Sequence, residues 1–200
     1  LSSRREYTKL NPFVVLLGKG DHEITSSWTP PGGYERTTTL GITRSNITFV
    51  GTDKDTTTVL GGFGIRDLEN ITFKNMTVTS TNGSGIHMSN AKVELMDVAL
   101  TKCLGPALHI PNSTSETTIV ATRCEFANSN CGAVICGTRI LTSAKFDNCV
   151  FRDNSQDGIF AYDSTVNVHG ETTAICSNGK YGIIADRSAK VLIHLPSHHN

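Results

Sequence analysis

A dipeptide that returns at nearly constant intervals limits more than any other feature what this chain can fold into. Gly-Ile stands at Gly41-Ile42, Gly64-Ile65, Gly85-Ile86, Gly158-Ile159 and Gly182-Ile183, and the conservative pairs Ala107-Leu108 and Ala133-Val134 fill the long gap. The intervals are about 21 to 26 residues, the range in which one supersecondary unit stacks on the next. A repeat protein is expected.

A second series runs in phase with the first: Ile47-Thr48-Phe49, Ile71-Thr72-Phe73, Val93-Glu94-Leu95, Ala144-Lys145-Phe146, Val166-Asn167-Val168 and Val191-Leu192-Ile193. Apolar residues flank one variable residue, the period of two expected of a strand with one buried face. A third series follows: Met76-Thr77-Val78, Val98-Ala99-Leu100, Cys124-Glu125-Phe126 and Cys149-Val150-Phe151. Each unit thus holds about three short strands and no helical stretch. Such a unit buries nothing alone, but coiled and stacked units pair equivalent strands in parallel and turn their inward residues into ladders. That is the logic of a parallel β-helix.

With these residues in place, the chain resembles the right-handed β-helix superfamily of pectate lyases, polygalacturonases, mannuronan epimerases and phage tailspikes, over about residues 40 to 195. The predicted fold is all-β, a right-handed single-stranded parallel β-helix of about seven coils of 21–26 residues. At roughly 4.8 Å per turn, the coils would be about 34 Å long. Residues 1–39 read as an N-terminal strand and loop segment that caps the solenoid, with the sole Trp, Trp28, and a loop of Pro30, Pro31, Gly32 and Gly33. Residues 40–200 read as one continuous repeat domain. Its corners fall at Gly51, Gly61-Gly62, Asn82-Gly83, Gly105-Pro106, Asn128-Ser129-Asn130, Asn154-Ser155 and Asn178-Gly179, with longer corners at 111–118 and 137–142. Asn and Gly are expected there because they tolerate left-handed backbone. After Ile193 only seven residues remain, so the natural chain is expected either to continue beyond Asn200 or to meet another molecule there. The first residue is not Met, as in a mature or trimmed product.

The 18 basic and 18 acidic residues balance, and no basic stripe exists to attract phosphates, so no nucleic-acid partner is expected. The longest apolar run, Phe13-Val14-Val15-Leu16-Leu17, is too short to span a bilayer. Of the six cysteines, Cys124 and Cys149 share the inward phase of Met76 and Val98. Cys103, Cys131, Cys136 and Cys176 lie nearer corners and are disulfide candidates, with free thiols the alternative. No cofactor and no metal site is expected, since no Cys-x-x-Cys pair occurs. Asn46, Asn70, Asn75, Asn82 and Asn112 each begin an Asn-x-Ser/Thr triplet, a candidate glycosylation site of a secreted, cell-surface or virion-surface protein.

Chemistry is expected where outward side chains of successive turns converge. The second strand series then groups Lys145, Asp147 and His169, with His194 in phase beyond them, an acid/base set of the kind sugar chemistry uses. His87 and His109 are expected to stack on adjacent turns, as a metal or titrating pair or as a packing ladder, with Ile135, Phe160 and Ile184 at the same phase. Asn154-Ser155-Gln156-Asp157-Gly158-Ile159 resembles the Asn-Thr-Asp-Gly motif of polygalacturonases, which would put Asp157 at the acidic position. The paired aspartates, Gly-His-Gly and Arg-Ile-Lys motifs of that family are absent. Tyr181-Gly182-Ile183-Ile184-Ala185-Asp186 is similar to the Tyr-Gly-Phe-Asp-Pro-His motif of the epimerases, without its Pro and His and with Asp186 displaced. No cluster of calcium-binding aspartates beside an outward Arg, as in pectate lyases, is present.

The sequence therefore predicts an extracellular or particle-surface structural β-helix, with N-glycosylation and end-to-end self-association into fibres as accompanying expectations. The alternatives are a carbohydrate-active enzyme (polysaccharide lyase, glycoside hydrolase or epimerase), working through Lys145, Asp147 and His169 or the acids Asp153, Asp157 and Asp186, and a non-catalytic glycan-binding adhesin. The partner is self, or a polysaccharide.

Overall fold

The computed structural model describes residues 6–30, 33–137 and 141–194. Pro31 and Gly32, the residues 138–140 of one long corner, and His198 and His199 lie outside them. The described residues form twenty strands and no helix, hence no helix able to cross a membrane.

Seven strands make one sheet: β3 (Thr39–Gly41), β6 (Gly62–Arg66), β8 (Ile86–Ser89), β10 (Leu108–Ile110), β13 (Ala133–Cys136), β16 (Ile159–Tyr162) and β19 (Ile183–Asp186). The second sheet has two segments. Its first is β1 (Phe13–Leu16), β4 (Ile47–Val50), β7 (Ile71–Thr79), β9 (Lys92–Thr101), β11 (Thr117–Thr122), β14 (Thr142–Asp147), β17 (Thr165–His169) and β20 (Lys190–Ile193). The other comprises β2 (Gly20–Glu23), β5 (Thr57–Leu60), the ends of β7 and β9, then β12 (Glu125–Ala127), β15 (Val150–Arg152) and β18 (Ala174–Cys176). Every strand pairs in parallel with its equivalent one turn away, as in Ile71 opposite Val93 and Val93 opposite Ile119. The strands thus coil into a parallel β-solenoid. It has about six turns, slightly fewer than the seven expected.

The register corrects the repeat in detail. Phe63, Ile86, Leu108, Ala133, Ile159 and Ile183 share one inward rung. Gly64-Ile65 is therefore displaced by two residues from Gly85-Ile86, and Ala133-Val134 by one from Ala107-Leu108. A two-residue slip keeps Ile65 inside, but a one-residue slip turns Val134 outward and Ile135 inward. The glycines that align, at 62, 85, 132, 158 and 182, precede this rung, and at Gly62, Gly132 and Gly158 an added Cβ would overlap a carbonyl of the next coil.

The interior is one cluster of aliphatic and aromatic ladders. Phe49 stacks on Phe73 at 5.1 Å and Phe126 on Phe151 at 4.7 Å, ring on ring one turn apart. Fully burying side chains of this size contributes about 2–3 kcal/mol each, which holds together coils too short to be stable alone. The triplet Ile119-Val120-Ala121 fills the rung that the second series lacked.

Left-handed residues also form ladders. Asn75, Asp97, Arg123 and Asn148 all have φ near +54°, and Gly170 follows at +95°; each makes the same single-residue bend once per coil. At the corner before the seven-stranded sheet, the left-handed residues are Lys102, Asn128, Asp153 and Ser177 rather than Asn154 or Asn178. Those two amides point inward. Asn154 Nδ2 donates to Phe126 O (3.0 Å) and Asn178 Oδ1 (2.9 Å), Asn154 Oδ1 accepts from Ser129 N (3.1 Å), and Asn178 Nδ2 donates to Phe151 O (3.1 Å). Asparagine recurs there because it satisfies corner backbone that the core would otherwise leave unpaired.

Candidate functional site

Two clusters occupy the outside of the sheets. The first lies on β14 and β17. Side chains alternate along a strand, so Lys145 and Asp147 share the outer face, and parallel pairing sets His169 directly against Asp147 and Asn167 against Lys145. Lys145 is exposed while Asp147 and His169 are half-buried. His194 stacks face to face on His169, with ring centroids 3.9 Å apart and 7° between planes. Desolvation first, then His194 and Lys145, hold the His169 imidazole below its ordinary value, against Asp147, which raises it. Asp147 Oδ1 also accepts from Asn148 Nδ2 at 3.1 Å. The sequence-predicted set therefore does come together as neighbours. On the same outer face, a cleft of about 210 Å³ lies at Thr72, Lys74 and Glu94, walled by Lys9 and Pro12.

Asp157 is not part of this set. It is buried in the corner before β16, where its Oδ1 accepts from Tyr181 N at 3.3 Å. Asp153 accepts from Arg152 Nη1 (2.5 Å) and Asp186 from Arg187 N (2.7 Å), each from its own chain neighbour. The three acids stand at different corners and strand ends.

The second cluster is on the outer face of the seven-stranded sheet. One outward row reads Gly41, Gly64, His87, His109, Val134, Phe160 and Ile184, so Val134 takes the place expected of Ile135. His87 and His109 lie side by side with Nδ1 atoms 3.0 Å apart, one donating to the other. Burial, then His109 and Arg36, lower His87 to about 3; burial, then Arg36, lower His109 to about 4. The sequence pointed to the pair but not to its cover. Trp28 packs on His87, ring centroids 5.6 Å apart, and a Cβ at Gly41 or Gly64 would overlap its indole. The two glycines on successive turns, beneath the only Trp, were the available signal.

All six cysteines are free thiols, including the bridge candidates Cys103, Cys131, Cys136 and Cys176. Cys103 and Cys131 are buried, Cys136 is half-buried and Cys176 exposed. Among the described residues no three His, Cys, Asp or Glu side chains gather as a metal site. Of the glycosylation candidates, Asn82 and Asn112 are exposed. Asn46, Asn70 and Asn75 are half-buried left-handed residues, and Asn70 Nδ2 donates to Asn46 Oδ1 (2.8 Å), whose own amide donates to Tyr7 O (2.9 Å).

With coiled parallel strands and single-residue bends established, the family comparison agrees. The model of the right-handed β-helix region matches residues 61–194, and the chain belongs to that family. No curated protein matches it. Among solved structures it is similar to a mutant pectin methylesterase in complex with a hexasaccharide (14% identity, TM-score 0.43, 85% of this chain and 60% of that one). It is also similar to the ORF18 protein of Geobacillus virus E2 (10%, 0.45, 93% and 54%) and to the mannuronan C-5 epimerase A-module of Azotobacter vinelandii (12%, 0.45, 93% and 68%). The chain thus spans a little over half of the first two. Identities this low make the likeness one of fold.

Proposed function

We propose that the chain is a structural β-helix module of an extracellular or particle surface, holding a rigid face rich in Thr, Ser and Asn. The observation that carries this reading is that charged and amide side chains at the corners bind their counterparts one coil away. Asn90 donates to Asp67 (2.8 Å) and accepts from Thr114 N (2.9 Å); Lys92 bridges Glu69 (3.4 Å) and Glu116 (2.9 Å); Arg152 reaches Glu125 (2.5 Å). Individually such exposed pairs contribute about 0–1 kcal/mol, but repeated along a stack they fix one coil on the next.

N-glycans fit the exposed corners at Asn82 and Asn112, whereas a glycan at Asn46 or Asn70 would break the amide ladder. Self-association is the partner reading: Tyr181 and Ile193 are exposed on the last described coil, where a second copy of the chain would cover them. Expression in a secretory host tests the glycan sites. Asn82→Gln with Asn112→Gln should remove the enzyme-releasable sugar mass, and retention of that mass would overturn the assignment. An oligosaccharide array separates scaffold from adhesin, since specific binding without turnover supports the latter.

A second reading, a carbohydrate-active enzyme, is favoured by the direct apposition of Asp147 and His169 beside Lys145. There Asp147 would accept a proton, and Lys145 would steady developing negative charge. Turnover of an anionic polysaccharide by the native protein, abolished in Asp147→Ala at unchanged stability, would establish it; no turnover in either removes it.

A further inference from the structure

The segment before β3 folds back as a hairpin over the outer row of the seven-stranded sheet. Trp28 N donates to Arg36 O (3.0 Å) and Arg36 N to Trp28 O (2.8 Å), while Thr39 N ties the base to Ser26 O (2.9 Å). Trp28 then rests on the bare backbone of Gly41 and Gly64, with His87 as the wall of its slot and His109 behind that. We propose that this hairpin is an acid-released strap. Above neutral pH Trp28 is docked against the uncharged His87 and His109 pair, and protonation of the pair expels the indole and uncovers the Gly41, Gly64 and His87 end of the outer row.

The chemistry follows from how the pair is held. In the neutral pair one Nδ1–H donates to the other Nδ1, leaving only the donor ring's Nε2 free to take a proton. A first proton there faces Arg36, the one cation of the hairpin that acts on both rings. A second proton sets two N–H groups against each other across 3.0 Å. Among the described residues no carboxylate from the hairpin, β6, β8 or β10 offsets these charges. The Arg36 Nε is itself buried without an acceptor, so the docked hairpin already carries an unmet donor.

The sign is that of a depressed base. Docking is fully stabilised above the ordinary His value of about 6.5 and loses stability as pH falls from there toward the values near 3 and 4 of the docked rings. Each ring shifts the balance toward release by up to about tenfold per pH unit, hence up to about 100-fold for the pair. The part of the row uncovered is that beneath the indole, Gly41, Gly64 and the His87 imidazole, with His109 next to it.

Trp28 is the only Trp, so its fluorescence reports the strap alone. The emission maximum and acrylamide access would be followed from pH 7.5 to 4.5, with far-UV circular dichroism on the same samples. The expected result is a reversible red shift and greater quencher access with unchanged dichroism and a slope above one proton. Gly64→Val, which fills the slot, should give the released spectrum already at pH 7.5. His109→Gln should lower the slope to one proton or less. A Trp28 signal that stays constant until the dichroism collapses, or a transition equally steep in folded His109→Gln, would overturn the proposal.

Discussion

Arg123 grips Asp97 from one coil away, donating Nε to Oδ1 at 2.7 Å and Nη2 to Oδ2 at 2.6 Å. Both residues occupy the left-handed bend of their coils, so stacking the bends brings the fork onto the carboxylate. The fork holds the Asp97 carboxyl below the usual carboxylate range. The stabilisation is therefore present above about pH 4 and is lost as acid titrates Asp97 through its lowered value. Because the pair is exposed, Asp97→Asn, which keeps a residue tolerant of the bend, should cost no more than about 1 kcal/mol at pH 7, with a smaller difference at pH 2.5, in urea unfolding. Arg123→Val should cost more than Arg123→Gly, since a β-branched residue is strained by about 1–2 kcal/mol at φ +53°.

Register decides between neighbours of similar chemistry. Ile135 is fully buried and Val134 faces out. Ile135→Ala should cost about 2–4 kcal/mol and Val134→Thr less than about 1 kcal/mol in thermal unfolding. Equal losses would mean the one-residue offset is wrong.

Asn154 joins three coils through Ser129, Phe126 and Asn178. Asn154→Ala should cost about 2–4 kcal/mol, because it strands buried backbone groups as well as opening space. Asn154→Asp should also destabilise, since a carboxylate cannot donate to the Phe126 carbonyl. Asn130→Ala, at an exposed neighbour, serves as the control in chemical denaturation.

His169 should titrate below an ordinary imidazole. His194→Ala and Lys145→Ala should each move its NMR midpoint up, and Asp147→Ala should move it down, because Asp147 favours the imidazolium. A midpoint indifferent to all three would mean that the outer row does not converge.

Thiol reagents should find six free groups in the denatured, unreduced protein. In the native protein Cys176 should react first, being exposed, and Cys176→Ser should remove that fast phase. Fewer than six would reveal a bridge.

What the sequence displayed was the period of the core. Ile71, Val93, Val166 and Val191 announce inward rungs because alternation along a strand needs no knowledge of the partner. Val134 and Ile135 were indistinguishable, since both are apolar and β-branched and only the neighbouring coils fix which faces in. Asn154 looked like a left-handed corner residue, whereas Asp153 makes the bend and Asn154 caps the interior. Asp147 and His169 were legible as neighbours, being one repeat apart on the same face. Trp28 over Gly41 and Gly64 was not, because its slot is made of missing side chains on two later turns.

Electron microscopy of native, untagged material, with intact mass on the same sample, tests the structural reading most directly. That reading predicts regular stacks or fibres carrying hexose-rich added mass. Dispersed monomers of bare polypeptide mass would contradict it.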